Sequence, residues 1–231
     1  MLFLTACLLV AATEPVPVRF QASDGVQIRG DLYGTGTRAV VLAHGGRFTK
    51  ESWAPQAREI VKEGYQVLAF DFRGFGQSKD ANHDGTSDNL HLDILGAVRF
   101  LRQNGARRVF VVGGSLGGSA AGAASAEAPV GEIDGIVLLG APAYVPPARL
   151  TTRKLYIVTR DDFSGDHVLR LPRIQAEFDQ APEPKKLLVL DGDAHAQAMF
   201  QTTAGARVMK EILRFLAFEE TAPTRPNPQQ H

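Results

Sequence analysis

The sequence predicts an α/β domain: a mostly parallel central sheet with helices on both faces and an N-terminal antiparallel hairpin. Three observations lead to this fold class. Short apolar runs alternate along the chain with longer segments of helical spacing, which is the arrangement of strand–helix–strand units. The central apolar runs lack polar alternation, as expected of strands that helices cover on both sides. The 23 glycines among 231 residues are typical of a chain with many strand-to-helix turns.

Eight apolar segments are predicted to be strands, and the first two form the hairpin across the turn Ser23-Asp24-Gly25. The predicted strands are residues 16–21, 26–33, 39–43, 67–72, 108–113, 136–140, 154–159 and 186–190. The predicted helices are residues 52–62, 89–103, 115–126, 167–178 and 205–218. Only residues 141–153 separate the sixth strand from the seventh, so no helical lid is expected there.

Length and charge limit the class of protein. A chain of this length suits one compact domain, predicted over residues 14–218, followed by a disordered, proline-containing tail over residues 219–231. The 25 basic and 25 acidic residues cancel, whereas a nucleic-acid surface needs clustered Lys and Arg, so no nucleic-acid partner is expected. A single cysteine excludes an internal disulfide and a cysteine-rich zinc site.

Residues 1–13 are predicted to be a signal or leader segment. Residues 2–12 are almost wholly apolar; they are too short to span a bilayer, which needs about 20 residues, but have the length of a signal-peptide core. Val10-Ala11-Ala12 offers small residues for cleavage, and Leu4-Thr5-Ala6-Cys7 resembles a lipobox with Cys7 as the lipidated residue. We therefore expect an exported protein, periplasmic or secreted, with a lipoprotein anchored through Cys7 as a variant of that prediction. If this segment is not a signal, a cytoplasmic location is expected.

The strongest chemical signal is Gly113-Gly114-Ser115-Leu116-Gly117. It matches G-x-S-x-G and lies between a predicted strand and a predicted helix, where a nucleophile turn must lie. The turn lifts the serine hydroxyl above the sheet edge at a helix N-terminus, where free amides favour negative charge. The motif predicts Ser115 as a nucleophile.

A serine needs a base to remove its proton, and the base needs an acid to hold its tautomer. Of the six histidines, His195 is the candidate base, because it follows the last predicted strand and lies near the C-terminal end of the chain. The seventh predicted strand ends in Asp161-Asp162, at the same sheet edge. The chain order Ser, Asp, His is the one that G-x-S-x-G hydrolases use, and either aspartate fits the acid.

Together with Ala43-His44-Gly45-Gly46 and residues 70–78, these motifs resemble the α/β-hydrolase superfamily from about residue 18 to residue 218. The family's acid is usually the last Asp of its turn, which implies Asp162; this chain has Thr159 where the family has Gly, so Asp161 stays open. The missing lid resembles serine-type relatives of the dienelactone-hydrolase-like group.

The resemblance also implies an oxyanion hole. The family uses the amide after the nucleophile and one amide after the His-Gly of the first parallel strand. These positions correspond to Leu116 and Gly46, with Arg47 as the alternative second donor, and His44 is expected to orient this loop.

The predicted function is therefore hydrolysis of a carboxylic ester or thioester through an acyl-enzyme on Ser115. The expected partner is a small acyl ester, and this chemistry requires neither a metal nor an organic cofactor. Two alternatives are a serine peptidase acting on short peptides and a non-catalytic binding protein on the same scaffold. The sequence leaves the oligomeric state open.

Two further motifs are weak. Residues 80–88 begin like a calcium-binding loop, but His91 stands where a bidentate Glu is required, and a solvated turn is the better interpretation. Residues 113–118 faintly resemble a dinucleotide-binding turn, but Ser115 occupies the position of the second glycine.

Overall fold

The computed structural model describes residues 14–79 and 89–217. The predicted leader with Cys7, the calcium-loop-like residues 80–88 and the predicted tail lie outside the described residues. The predictions made for them, including the location of the protein, stay predictions.

One eight-stranded sheet forms the centre of the molecule, with strand order β1-β2-β4-β3-β5-β6-β7-β8. Strand β2 runs antiparallel to both its neighbours, β1 and β4, and every other neighbouring pair is parallel. The strands are β1 Val16–Gln21, β2 Gln27–Tyr33, β3 Arg38–Ala43, β4 Gln66–Asp71, β5 Arg108–Gly114, β6 Gly135–Leu139, β7 Lys154–Thr159 and β8 Lys185–Leu190. The predicted mostly parallel sheet with an N-terminal hairpin is confirmed.

Helices cover both faces of the sheet, as predicted. They are α1 Ala54–Lys62, α2 Leu90–Gln103, α3 Leu116–Glu127, α4 Leu171–Gln180 and α5 Gly205–Ala217. Helices α1 and α5 pack Ile60 and Ile212 against one face, and α2, α3 and α4 pack Ile94, Ala121 and Ile174 against the other. Full burial of such an aliphatic side chain contributes about 1.5–3 kcal/mol, so the strands between two helical layers are mostly apolar, with charged and amide side chains only at their ends.

Helix α3 lies unusually close to the chain that follows β6, because its residues are small. A Cβ atom added at Gly122 would collide with the Cβ of Ala143, and one at Gly118 would lie 3.2 Å from the Cβ of Ala141. The alanine- and glycine-rich sequence of α3 therefore lets the helix lie directly against the residues that follow β6.

Helix α4 begins later than the sequence predicts. The predicted helix over residues 167–178 begins instead at Leu171, because residues 163–169 turn back on themselves. Phe163 and Leu169 form an isolated β-bridge, and His167 has a φ of 57°, outside the helical region. Pro172 in the first turn of α4 suits a helix start, where its missing N–H costs nothing.

The segment between β6 and β7 contains one short 3₁₀ turn, Pro147–Arg149, and no longer helix, so the predicted absence of a helical lid is confirmed for this part of the chain. Over residues 14–79 and 89–217, no helix combines the length and the apolar character that a membrane span requires.

Candidate active site

Ser115 occupies the sharp turn between β5 and α3. Its φ of 51° and ψ of −114° lie outside the regions that most residues adopt, and this costs on the order of 1–3 kcal/mol. The surrounding glycines are required by sterics: a Cβ at Gly113 would collide with the carbonyl of Gly117, and one at Gly117 would collide with the carbonyl of Ala43. The G-x-S-x-G spacing is thus a packing requirement of a turn that presents the hydroxyl at the sheet edge.

The structure brings the predicted nucleophile, base and acid together. The Nε2 atom of His195 lies 2.7 Å from the Oγ atom of Ser115, and its Nδ1 atom lies 2.8 Å from Oδ2 of Asp162. A carboxylate accepts hydrogen bonds, so Nδ1 carries the proton and Nε2 is free to accept one from the serine hydroxyl. The side chain of His195 is 33% exposed and that of Asp162 is fully buried, so the base faces solvent while the acid does not.

The geometry selects Asp162 over Asp161 as the partner of His195. Asp161 is exposed, and its amide donates to the carbonyl of Gly192 at 2.9 Å. The second carboxylate oxygen of Asp162 lies 3.3 Å from Nε of Arg170, whose amide donates to the Asp162 carbonyl at 2.9 Å. A buried carboxylate needs charged or hydrogen-bonding partners, and Asp162 has an imidazole on one oxygen and a guanidinium beside the other.

The turn that carries the acid is hydrogen-bonded along its length to the loop that carries the base. The Thr159 hydroxyl donates to the carbonyl of Ala194 at 2.9 Å, next to His195. The amide of Arg160 donates to Leu190 at 2.7 Å, beside the bond from Asp161 to Gly192. Thr159, which departs from the family pattern, thus ties the two loops together.

Gly140 is a site residue that the sequence analysis missed. It directly follows β6 with a φ of 64°, and a Cβ there would lie 2.9 Å from Nδ1 of His195 and 3.0 Å from Oδ2 of Asp162. The base and its acid therefore pack on the bare Cα of this residue. A glycine ending an apolar strand is its signal in the sequence, but contact with residue 195 is visible only in the structure.

The candidate oxyanion donors Gly46 and Leu116 lie next to each other. A Cβ on Gly46 would lie 3.6 Å from Cδ2 of Leu116, and Leu116 is the first residue of α3, at the positive end of the helix dipole. The amides of Gly46, Arg47 and Leu116 find no acceptor within residues 14–79 and 89–217. All three remain available to an anion at this edge of the sheet.

Two neighbouring amides are already occupied. The amide of Ser115 donates to the carbonyl of Leu139 at 2.8 Å, and the amide of Gly45 donates to Oε1 of Gln197 at 2.7 Å. Neither is free to bind a developing oxyanion. The amides of Leu116, Gly46 and Arg47 therefore stay the candidate donors, as the sequence predicts.

His44 is fully buried and holds the loop that contains these amides. Its Nε2 accepts from the amide of Phe72 at 3.2 Å, so its Nδ1 donates to the carbonyl of Gly45 at 2.9 Å. Burial lowers the pKa of His44 below the ordinary histidine value, which keeps the imidazole neutral. The hydrogen bonds place His44 in the structural role that the sequence analysis expects.

A strand-to-helix turn carrying Ser115, an acid after β7 and a histidine after β8 together define the α/β hydrolases. Residues 38–195 match the family described as alpha/beta hydrolase fold, and the chain belongs to that family.

Two sequence relatives are 34% identical over part of their length. One is a non-heme haloperoxidase of Rhodococcus erythropolis, matched over 131 residues, 57% of this chain and 45% of the relative. The other is the serine hydrolase BPHL of Homo sapiens, matched over 125 residues, 54% of this chain and 43% of the relative. The chain spans less than half the length of these relatives.

Solved structures extend the likeness of the fold to most of the chain. The Pyrococcus furiosus esterase Pf2001 superposes with a TM-score of 0.74 at 21% identity, covering 88% of this chain and 90% of that one. Dienelactone hydrolase from Anabaena variabilis superposes with a TM-score of 0.70 at 20% identity, covering 87% of this chain and 96% of that one.

Proposed function

We propose that the protein is a serine hydrolase that cleaves small carboxylic esters or thioesters through an acyl-enzyme on Ser115. One observation carries the proposal: an unbroken series of hydrogen bonds runs from the buried carboxylate of Asp162 through His195 to the hydroxyl of Ser115, at 2.8 and 2.7 Å. The similarity to a serine hydrolase and to an esterase agrees with it.

The proposed first half-reaction forms the acyl-enzyme. His195 Nε2 takes the hydroxyl proton as Oγ of Ser115 attacks the carbonyl carbon. The oxyanion of the tetrahedral intermediate accepts hydrogen bonds from the amides of Leu116 and Gly46, with Arg47 as the alternative to Gly46. In comparable sites, removal of one such donor costs about 3 kcal/mol of transition-state stabilisation. The proton on Nε2 then passes to the leaving oxygen or sulfur, which departs as an alcohol or a thiol.

The second half-reaction repeats these steps with water. His195 takes a proton from the attacking water, the second tetrahedral intermediate collapses, and the proton returns to Oγ of Ser115 as the carboxylic acid leaves. Asp162 supports the imidazolium in both halves because its buried carboxylate stays on Nδ1.

The rim of the site favours an apolar acyl group. Of the seven large hydrophobic residues that are exposed within the described ranges, five lie on loops after β3, β6 and β7, at the edge that carries Ser115. They are Phe48, Tyr144, Phe163, Val168 and Leu169. Without a helical lid, such a rim suits a small or flexible ester that enters directly from solvent.

An ester panel tests the proposal. We expect the wild type to hydrolyse p-nitrophenyl esters of short and medium acyl length, and a fluorophosphonate probe to label Ser115. The S115A variant is expected to lose roughly a millionfold in kcat, as nucleophile removal does in other serine hydrolases. S125A is the matched control, because Ser125 lies on the same helix and its hydroxyl donates to Gly122 within that helix.

Labelling of another residue, or full activity of S115A, would contradict the assignment. Faster turnover of aminoacyl anilides than of esters would favour the peptidase alternative. Absence of both labelling and turnover in the wild type would favour the binding protein.

A further inference from the structure

Gln197 connects three parts of the site. It lies two residues beyond His195, in the loop that carries the base, and only 6% of its surface is exposed. Its Oε1 accepts from the amide of Gly45 at 2.7 Å, in the loop that carries the candidate oxyanion amides. Its side chain also covers the residue before the nucleophile, because a Cβ on Gly114 would lie 3.1 Å from Oε1 and 3.2 Å from Cγ.

The orientation of the Gln197 amide is determined by its partners. The Gly45 amide can only donate, so the oxygen of the side chain must face it, and Nε2 then donates to Oγ of Ser52 at 2.6 Å. The Ser52 hydroxyl in turn donates a hydrogen bond to the carbonyl of Thr49 at 2.6 Å. The Gly45 amide, Nε2 of Gln197 and the Ser52 hydroxyl each donate to the next acceptor, so the direction of every bond in the series is determined.

This arrangement has a consequence for the oxyanion loop. Gly45 is bound on both sides: its amide by Gln197 and its carbonyl by His44 at 2.9 Å. The peptide that joins it to Gly46 is therefore fixed, and so is the direction of the next amide. Because Gln197 is anchored in the loop of His195, the loop of the base and the loop of the oxyanion donors are held at one distance.

We propose that Gln197 is a positioning residue that aligns the oxyanion amides with the base, a role that rests on the proposed serine hydrolase activity. In this role it contacts no reacting atom, because its side-chain oxygen and nitrogen bind Gly45 and Ser52. It acts through Gly45, so its loss should weaken transition-state binding and leave substrate binding nearly unchanged. Displacements of about 1 Å at such a site cost up to about a hundredfold in rate.

Substitution with methionine tests the role, because it keeps the length of the side chain and removes both hydrogen bonds. We expect Q197M to lower kcat on a p-nitrophenyl ester by about 10- to 100-fold with KM within about twofold. An aryl trifluoromethyl ketone, which takes up the Ser115 hydroxyl to form a tetrahedral oxyanion, should bind Q197M more weakly by the same factor as kcat/KM falls.

Two further variants sharpen the test. Q197E keeps an acceptor for Gly45 but adds a negative charge beside the oxyanion loop, so it should lower kcat at least as much as Q197M. Q66M is the matched control, because Gln66 is also 6% exposed but begins β4 at the opposite edge of the sheet. The kcat of Q66M should stay within about twofold of the wild-type value.

The outcomes separate the two proposals. A wild type that neither turns over esters nor reacts with the fluorophosphonate probe overturns both. An active wild type with Q197M matching it in kcat and in ketone affinity overturns the role of Gln197 alone. A loss in Q197M that appears only in KM, or only in melting temperature, also overturns it, because a positioning residue must change kcat and ketone affinity together.

Discussion

At the scale of single residues, the carboxylate of Asp162 lies between one permanent cation, Arg170, and one group that becomes a cation during the reaction, His195. Its Oδ2 faces the imidazole of His195, and its Oδ1 lies 3.3 Å from Nε of Arg170. The guanidinium keeps a permanent positive charge beside an otherwise buried anion, whereas the imidazole becomes positive only during the reaction. Asp162 thus remains a hydrogen-bond acceptor in both protonation states of the base.

Substituting each aspartate in turn tests this assignment. D162N should lower kcat by about 10³- to 10⁴-fold, because an amide nitrogen facing Nδ1 forces the wrong tautomer on His195. D161N is the matched control, since Asp161 is exposed and adjacent, and it should change kcat by less than about twofold. Steady-state kinetics on one ester measures both. A large loss in D161N with none in D162N would reverse the assignment.

The residues of the site differ in how far the sequence could predict them. Ser115 and His195 follow from a local motif and from order along the chain, and their geometry agrees with the predicted roles. Gly140 and Gln197 were not found, because their importance lies in contacts with distant residues. Gly45 and Gln197 are 152 positions apart, and no local pattern marks such a pair.

At the scale of elements, the apolar runs predicted all eight strands. The central strands β3 to β7 are buried on both faces and have no polar alternation to blur their limits, whereas β1 is largely exposed and was predicted together with β2 from the hairpin turn between them. The predicted start of α4 at residue 167 was wrong, because residues 163–169 form a β-bridged turn and the helix begins only at Leu171. That turn brings the amide of Arg170 onto the carbonyl of Asp162. The start of α4 is therefore set by tertiary contacts of Asp162, which cannot be recognised in the sequence.

The packing of α3 gives a prediction at the same scale. In an exposed helix, Gly→Ala stabilises by about 1 kcal/mol, but at Gly122 the new methyl would collide with Ala143. We expect G122A to lose about 1–3 kcal/mol of unfolding free energy in urea titrations. G165A is the control, because a Cβ at Gly165 meets nothing within 4 Å, and it should stay within about 0.5 kcal/mol of the wild type. A G122A protein as stable as G165A would show that α3 is free to move away.

At the scale of the whole molecule, His44 links stability to pH. Burial holds its folded-state pKa below the value of about 6.5 that it has in the unfolded chain. Below pH 6.5 the unfolded chain binds a proton at His44 and the folded protein does not. The free energy of unfolding therefore falls as pH falls. His44 contributes at most about 1.4 kcal/mol per pH unit to the slope of unfolding free energy against pH. This contribution vanishes above the pKa that His44 has in the unfolded chain.

Urea titrations of the wild type and H44Q between pH 5.5 and 8 test this linkage. H44Q should be the less stable protein at pH 8, because glutamine reproduces the two hydrogen bonds of the ring poorly, but its stability should fall less steeply toward pH 5.5. The carboxylates titrate in both proteins, so the difference between the curves isolates residue 44. Parallel curves would mean that His44 has the same pKa in the folded protein as in the unfolded chain.

The bonds between the acid turn and the base loop have a consequence for motion. Three links, from Thr159, Arg160 and Asp161, join these segments over almost the whole length of the turn, while His195 meets the nucleophile through a single contact. Imidazole and carboxylate should therefore keep their mutual spacing when these segments fluctuate, while the bond from Gln197 to Gly45 limits how far the loop of the base can move from the nucleophile.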